Sequence, residues 1–349
     1  MIAVRILEKG LFECFDAGLT GSSDAPVNVE VSAVVWDGHR LAMASDKNVP
    51  GEHRSPVFAL DCVDGRPQQQ TLRYYTADLI RNPEKYEDFA LTVGGTHIIA
   101  TTGFDRVDGA SSELHHYNRL LVWPVDAPDA PDAPRLVAES EESGVRSSVD
   151  LRADLAPALG APYYKVEGLA TVPGRHGGND RLLFGIREVG DDHENFDYVC
   201  RVVAVPYRME GEDLVLTGEF EVVYDFDPSG VEDVRFAVGL SSLEHDPVHD
   251  GLYLLTRFEV EDEAGAEQVG AYLGGCRWTT FSARRDPALV RNESGGVFEF
   301  VNKAEGVALL GDGRLFVVYD PDRALELESE HPRDTREPHE APYTLLTLV

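Results

Sequence analysis

Basic residues are scarce in this chain, which has 31 Lys and Arg against 62 Asp and Glu and a formal net charge of −31. A field of that sign repels phosphate backbones and anionic lipids, so we expect neither nucleic acid nor a membrane as a partner. The four cysteines are far apart and in no metal-binding spacing. We interpret them as reduced thiols, as in a cytoplasmic protein.

Long apolar runs and helical patterns are also missing. No run reaches the length of a membrane span, and the first residues lack the apolar core of a signal peptide, which again predicts an intracellular protein. Only the stretch VDLRADLAPAL from Val149 predicts a helix. The sequence contains no P-loop, dinucleotide fingerprint, HExxH or Gly-x-Ser-x-Gly motif.

What the chain does contain is a repeat of short apolar strand, tight turn, apolar strand and charged end, which predicts five β-hairpins. Dipeptides that tolerate positive φ, such as Asp37-Gly38, Gly94-Gly95 and Asp312-Gly313, stand at three of the turns. The five segments are SAVVWDGHRLAMASDK from Ser32, EDFALTVGGTHIIATTGFDR from Glu87, EGLATVPGRHGGNDRLLFGIRE from Glu167, SSLEHDPVHDGLYLLTRFE from Ser241 and EGVALLGDGRLFVVYDPDR from Glu305.

Each hairpin is followed by a third strand-like run and usually by a fourth, which is typical of propeller blades. The sequence therefore predicts an all-β fold, a five-bladed β-propeller of four-stranded antiparallel blades that forms one domain over residues 1–349. The last blade lacks a fourth strand, and we expect VRILEKG or LFECFDAG near the N-terminus to supply it and close the ring. A degenerate sixth hairpin between Val202 and Val231 stays open.

The first strand of every blade lines the channel of a propeller, so residues at equal register converge on its axis. Three carboxylates facing one another there need a positive partner, and a hard cation with oxygen ligands, most simply Ca²⁺, supplies it. Ordinary solvated acids at strand starts are the alternative. The candidate metal ligands are Ser32, Glu87, Glu167, Ser241 and Glu305.

The far end of each hairpin folds back beside its start, which brings basic side chains to one rim. They are candidates for binding an anionic substrate, or they neutralise neighbouring acids. Asp46, Asp105 and Asp320 lie at the same rim, where they orient a water for attack or pair with those bases. The candidate substrate-binding residues are Lys47, Arg106, Arg187, Arg257 and Arg323.

The order Ser, Glu, Glu, Ser, Glu at the starts of the five hairpins resembles the soluble calcium-activated nucleotidases, or apyrases. The most similar stretches are those that begin at Ser32 and Glu87, with GLSS ending at Ser242 and KAEG around Glu305. The resemblance implies a five-bladed propeller with Ca²⁺ at the channel centre, held by the five ring residues, and hydrolysis of nucleoside di- and triphosphates.

Three functions remain in competition. The first is a calcium-dependent hydrolase of a phosphorylated or other anionic small molecule, in which the cation activates water and the bases hold the charge. The second is a propeller lactonase or esterase in which a channel calcium polarises a carbonyl oxygen. The third is a non-catalytic propeller whose ion is structural and whose rim binds a ligand or partner.

Overall fold

The structure is a computed structural model that describes residues 3–21, 24–107, 111–130, 133–174, 177–226, 231, 234–261, 267–278, 287–327 and 330–349. Five antiparallel sheets form a closed ring, because the innermost strand of each contacts the innermost strands of its two neighbours. The predicted fold class, a five-bladed propeller, is confirmed. Between Val202 and Phe226, every described strand belongs to blade 3. These residues therefore contain no sixth hairpin.

The blades are numbered here along the chain, and their strands are given from the channel outward. Blade 1 contains Val31–Trp36, Arg40–Ser45, Val57–Val63 and the short edge strands Arg66–Pro67 and Arg73–Tyr74. Blade 2 contains Tyr86–Leu91, His97–Thr102, Leu120–Pro124 and Arg135–Leu136. Blade 3 contains Tyr163–Val172, Asp180–Asp192, Asn195–Glu210 and the edge strands Asp213–Leu216 and Glu221–Phe226.

Blade 4 contains Gly239–Asp246, Gly251–Glu261, Glu267–Arg277 and the edge strands Ala288–Leu289 and Glu299–Phe300. Blade 5 contains Ala304–Leu309, Arg314–Tyr319, Glu340–Leu348 and, outermost, Val4–Glu13. Three blades thus carry a split outer edge of two short strands where one fourth strand was predicted.

The N-terminal strand closes the ring. Val4–Glu13 runs antiparallel to Glu340–Leu348, from Val4 opposite Leu348 to Glu13 opposite Glu340. This one strand covers VRILEKG and the first three residues of LFECFDAG, so both expected segments take part. The pairing covers an edge that blade 5 would otherwise expose.

Apolar side chains fill the spaces between neighbouring blades. The described residues form five buried clusters, one at each blade-to-blade interface, and the cluster between blades 5 and 1 includes Phe12, Val34 and Phe316. Short hairpin turns leave these faces uninterrupted, and Gly38, Gly95 and Gly313 take the positive φ values that such turns require.

Little of the chain is helical. The predicted helix forms as Leu151–Leu159. The described residues also form the short helix Asp78–Arg81, the 3₁₀ turns Gln69–Thr71 and Ser112–Tyr117, and the hairpin Ser140–Glu142 with Val145–Ser147. In the described parts of the chain, no helix is both long and apolar enough to cross a membrane.

Candidate functional site

The five predicted ring residues occupy the same structural position in all five blades. In each blade a β-bulge interrupts the pairing of the first and second strands, and the ring residue is the one left without a partner in the ladder. A bulge re-aims its side chain. The repeat register read from the sequence therefore brings together Ser32, Glu87, Glu167, Ser241 and Glu305.

The three ring carboxylates contact five basic side chains, an arrangement that the sequence did not predict. Around the channel, each carboxylate lies between bases of its own blade and of a neighbour. Lys165 contacts both Glu87 (3.4 Å) and Glu167, and Arg257 contacts both Glu167 (3.3 Å) and Glu305. The other contacts are Lys85 with Glu87 at 3.5 Å, Arg187 with Glu167 at 3.0 Å and Lys303 with Glu305 at 3.8 Å.

Burial and charge oppose each other in this ring. Burial raises the pKa of Glu87 even though Lys165 and Lys85 pull it down. At Glu167 the neighbouring Arg187 and Lys165 outweigh burial and lower the pKa. Burial alone would lower the pKa of Lys165, but Glu167 and Glu87 raise it well above its ordinary value. The ring is therefore a network of buried ion pairs.

Three of the bases belong to a sequence motif that predicts their position. Lys85, Lys165 and Lys303 each stand two residues before a ring glutamate, in KYEDFA, KVEGLA and KAEGVA. Side chains two apart on a strand lie on the same face, so Lys-x-Glu places a base beside its acid at the channel. In blade 1 the matching position holds Glu30, and in blade 4 it holds Gly239, where a Cβ would lie 2.5 Å from Cγ of Arg187.

A second layer lies directly beneath the ring, formed by the residue after each bulge. Asp88 is the one acidic residue there, and its side chain is fully buried. Burial raises its pKa well above the ordinary value, while hydrogen bonds from its neighbours stabilise the carboxylate form. Asp88 accepts hydrogen bonds from the amides of Phe89 (2.9 Å), Leu169 (2.8 Å) and Leu243 (3.2 Å) and from the hydroxyl of Ser242 (3.0 Å). It thereby ties blades 2, 3 and 4 together at the axis. The layer consists of Ala33, Asp88, Gly168, Ser242 and Gly306.

The predicted basic rim divides into two groups. Arg187 and Arg257 are buried in the ring and neutralise its acids, which is the alternative reading of these bases. Lys47, Arg106 and Arg323 stand at the surface, with side chains 47%, 47% and 77% exposed. We call this end of the channel the ring mouth, and these three bases remain candidates for binding an anion there.

The three predicted catalytic aspartates lie at the ring mouth, each with a base close by. Asp46 has Lys47 at 3.3 Å, Asp105 has Arg106 at 3.7 Å and Asp320 has Lys303 at 3.2 Å. Their pairing is incomplete. One oxygen of Asp46 and one of Asp105 are buried with no hydrogen-bond partner among the described residues.

Asp46 has the most unusual chemistry of the group. Burial first, and then the nearby charge of Asp320, raises its pKa from 3.8 to about 7. Its neighbours are acidic: the carboxylates of Glu30, Asp320 and Asp322 converge within 4.8 Å of one another at the junction of blades 1 and 5. A carboxyl group that holds its proton near neutral pH beside salt-bridged carboxylates is a pattern of acid–base catalysis.

The ring does not fit a calcium ion. Ca²⁺ takes roughly six to eight oxygen ligands, but the space between the carboxylates is taken by Lys165 and Arg257. The hydroxyl of Ser32 donates to the carbonyl of Tyr86 at 2.5 Å, and that of Ser241 donates to Glu305 at 2.9 Å. The five bases already in contact with the three ring carboxylates repel a cation at this point.

No known protein family and no curated protein match the sequence. Among solved structures, an α-L-arabinofuranosidase from Podospora anserina in complex with cellotriose has 8% identity and a TM-score of 0.43, covering 98% of this chain and 97% of that one. A B. subtilis levansucrase mutant has 9% identity and a TM-score of 0.43, with 94% and 93% covered. A glucose dehydrogenase has 12% identity and a TM-score of 0.41, with 98% of both covered.

These similarities are too distant to assign a reaction or a residue. The apyrase-like identity expected from the sequence receives no support from them. A propeller fold can host many reactions, and the side chains of the site decide which one takes place.

Proposed function

We propose that the protein is a hydrolase of a small anionic molecule and that its reaction site is the ring mouth. The observation that carries the proposal is the position of Asp46 at the ring mouth, where one carboxyl oxygen is buried with no described hydrogen-bond partner and the salt-bridged Asp320 lies nearby. Burial and the charge of Asp320 raise the pKa of Asp46 to about 7. Acid–base hydrolysis needs two such groups, one holding a proton and one ready to take one.

The charge of the substrate follows from the exposed bases of the ring mouth. The chain as a whole carries −31, yet Lys47, Arg106 and Arg323 stand exposed here, each beside a carboxylate of the mouth. Their donors can exchange those partners for an anionic group of the substrate. Arginine also matches the geometry of carboxylate and phosphate groups.

The proposed reaction uses the two carboxyl groups in opposite senses. Water attacks the scissile centre and gives a proton to the carboxylate of Asp320, while Asp46 gives its proton to the departing oxygen. The bond to the leaving group breaks as the bond to the water oxygen forms, and proton exchange with solvent restores both carboxyl groups. Asp105 orients the substrate or the water through its unpartnered oxygen.

No step of this proposal passes through a metal, since the ring residues do not fit one. The calcium-dependent phosphohydrolase and the calcium-assisted lactonase or esterase remain predictions from the sequence. The non-catalytic alternative has an observation in its favour: every ring carboxylate is already held by ion pairs, as expected of a cluster that stabilises the fold.

The test is a substrate panel with purified protein: nucleotides, sugar phosphates, p-nitrophenyl phosphate, p-nitrophenyl esters and p-nitrophenyl glycosides. Glycosides are included because similar structures are arabinofuranosidases, arabinanases and levansucrases. Each reaction is run with Ca²⁺, with Mg²⁺ and with chelator. The variants are Asp46→Asn and, as a matched control on an exposed helix position, Asp154→Asn.

Turnover of an anionic substrate that persists in chelator, drops about 10²- to 10⁴-fold in Asp46→Asn and is unchanged in Asp154→Asn supports the proposal. Activity that requires Ca²⁺ contradicts the metal-free proposal and favours the calcium-dependent reaction. If no substrate of the panel is hydrolysed, the non-catalytic propeller is favoured.

A further inference from the structure

A cavity of about 590 Å³ lies at the other end of the channel. It opens between the hairpin turns that follow the innermost strands of the blades. We call this end the turn mouth. Small-molecule sites typically measure about 300–1,000 Å³, so a ligand of one or two rings fits there.

This cavity is separate from the ring mouth. The innermost strands run from the ring to the turns, and Asp88 with its hydrogen-bond partners fills the axis between them. A ligand at the turn mouth therefore does not touch Lys47, Asp46 or Asp320. Whatever binds here is independent of the hydrolase proposed above.

The walls of the cavity argue for an uncharged and largely apolar ligand. Val35, Leu91, Ala170 and Leu309 provide apolar surface from four blades, and no Lys or Arg of the described chain lines the cavity. Three acids at its edge are held by partners of their own. The pairs are Asp37 with Arg40 at 2.8 Å, Asp246 with His249 at 2.7 Å and Asp312 with Arg314 at 2.6 Å.

Glu244 is the exception among the acids of the wall. It lies on the innermost strand of blade 4 and has no salt bridge to any described residue. Burial, and then the charge of Asp88, raises its pKa well above the ordinary value, although the amide of Leu309 bonds the carboxylate form. The carboxyl group therefore keeps its proton over a wider pH range and can donate a hydrogen bond.

From this geometry we propose a second ligand site at the turn mouth, which takes an uncharged, mainly apolar small molecule and binds its carbonyl or ether oxygen through the carboxyl group of Glu244. Apolar walls supply the affinity, and Glu244 sets the orientation. His245, whose Nε2 is buried with no hydrogen-bond partner among the described residues, lines the same wall.

The experiment compares four probes of one shape: 2-acetonaphthone, 2-ethylnaphthalene, 2-naphthoate and 2-naphthylmethylammonium. Binding is measured by equilibrium dialysis with the full chain. Leu309→Trp fills the cavity, and Val301→Trp, which adds the same bulk at an exposed position, is its control. Glu244→Leu removes the donor, while Glu244→Gln keeps one, so the pair separates hydrogen bonding from folding.

We expect 2-acetonaphthone to bind about tenfold more tightly than 2-naphthoate or the ammonium probe. Leu309→Trp abolishes this binding and Val301→Trp leaves it intact. Glu244→Leu weakens the ketone about 3- to 10-fold without weakening the hydrocarbon, and Glu244→Gln restores the difference. Tighter binding of either charged probe, or binding that survives Leu309→Trp, overturns the inference. Neither result bears on hydrolysis at the ring mouth.

Discussion

The hydroxyl of Ser242 donates a hydrogen bond to the carboxylate of Asp88 at 3.0 Å, joining blade 4 to blade 2 at the channel axis. The amide of Val307 reaches the same hydroxyl at 3.4 Å and brings in blade 5. A carboxylate that accepts four hydrogen bonds and has no basic partner in the described chain depends entirely on those donors. Asp88 therefore links blade 2 directly to blades 3 and 4, and through Ser242 to blade 5.

Replacement of Asp88 tests this role. In Asp88→Asn, an amide NH₂ faces backbone amides that also donate, so buried donors lose their acceptor. We expect the free energy of unfolding to fall by roughly 3 kcal/mol, against about 1 kcal/mol for Ser242→Ala, which removes one donor. Chemical denaturation measures both. Equal losses in the two variants would contradict a central role for the carboxylate.

Lys165 offers a test of the ion-pair ring. Lys165→Met removes the base shared by Glu87 and Glu167 and leaves buried carboxylates short of a partner. We expect a loss of about 3–5 kcal/mol in the free energy of unfolding. Lys47→Met, at a half-exposed position, should cost under about 1 kcal/mol.

The double variant Lys165→Met/Glu87→Gln shows whether the loss comes from charge. If it does, neutralising Glu87 recovers part of the stability, and the coupling between the two sites is on the order of 1–3 kcal/mol. Strictly additive losses would mean that Lys165 contributes by packing instead.

The fold could be predicted well from the sequence because several features of the hairpins recur along the chain. The turn dipeptides, the EGLA and EGVA segments and the charged hairpin ends all recur in step, and the ring residues therefore share one bulged register. Three blades also share a Lys-x-Glu motif. Because side chains alternate along a strand, this motif predicts that the lysine lies at the channel beside its glutamate. The ring acids predicted a cation, and in the structure Lys165 and Arg257 contact those carboxylates.

Other features could not be read from the sequence. The raised pKa of Asp46 depends on burial between blades 1 and 5 and on Asp320, which lies far along the chain. The cavity at the turn mouth depends on how far five turns stand apart. Both are properties of the closed ring, and no local stretch of sequence encodes them.

Asp46 also gives the protein a pH-dependent stability. Its pKa is about 7 in the folded state against 3.8 ordinarily, so the folded state holds the proton more firmly than the unfolded chain. The stabilisation is complete below about pH 4 and is lost as the pH rises to about 7, by no more than about 4 kcal/mol. Denaturation of wild type and Asp46→Asn at several pH values measures it. Wild type should lose more stability over this range than Asp46→Asn, and parallel curves would refute the assignment.

Calcium binding in the ring is predicted from the sequence, but the ion pairs of the structure disfavour it. With the ring positions held by Lys165 and Arg257, we expect Ca²⁺ and Mg²⁺ at equal ionic strength to raise the melting temperature equally, by screening an acidic protein, and chelator to have no effect. Ser32→Ala is the informative variant, because it removes a predicted ligand without breaking a salt bridge. A site for Ca²⁺ in the ring would instead give a saturable, Ca²⁺-specific gain of about 2.7 kcal/mol at a hundredfold excess over Kd. If that gain appears in the wild type and shrinks in Ser32→Ala, the ring rearranges around a cation and the calcium-dependent mechanism stands.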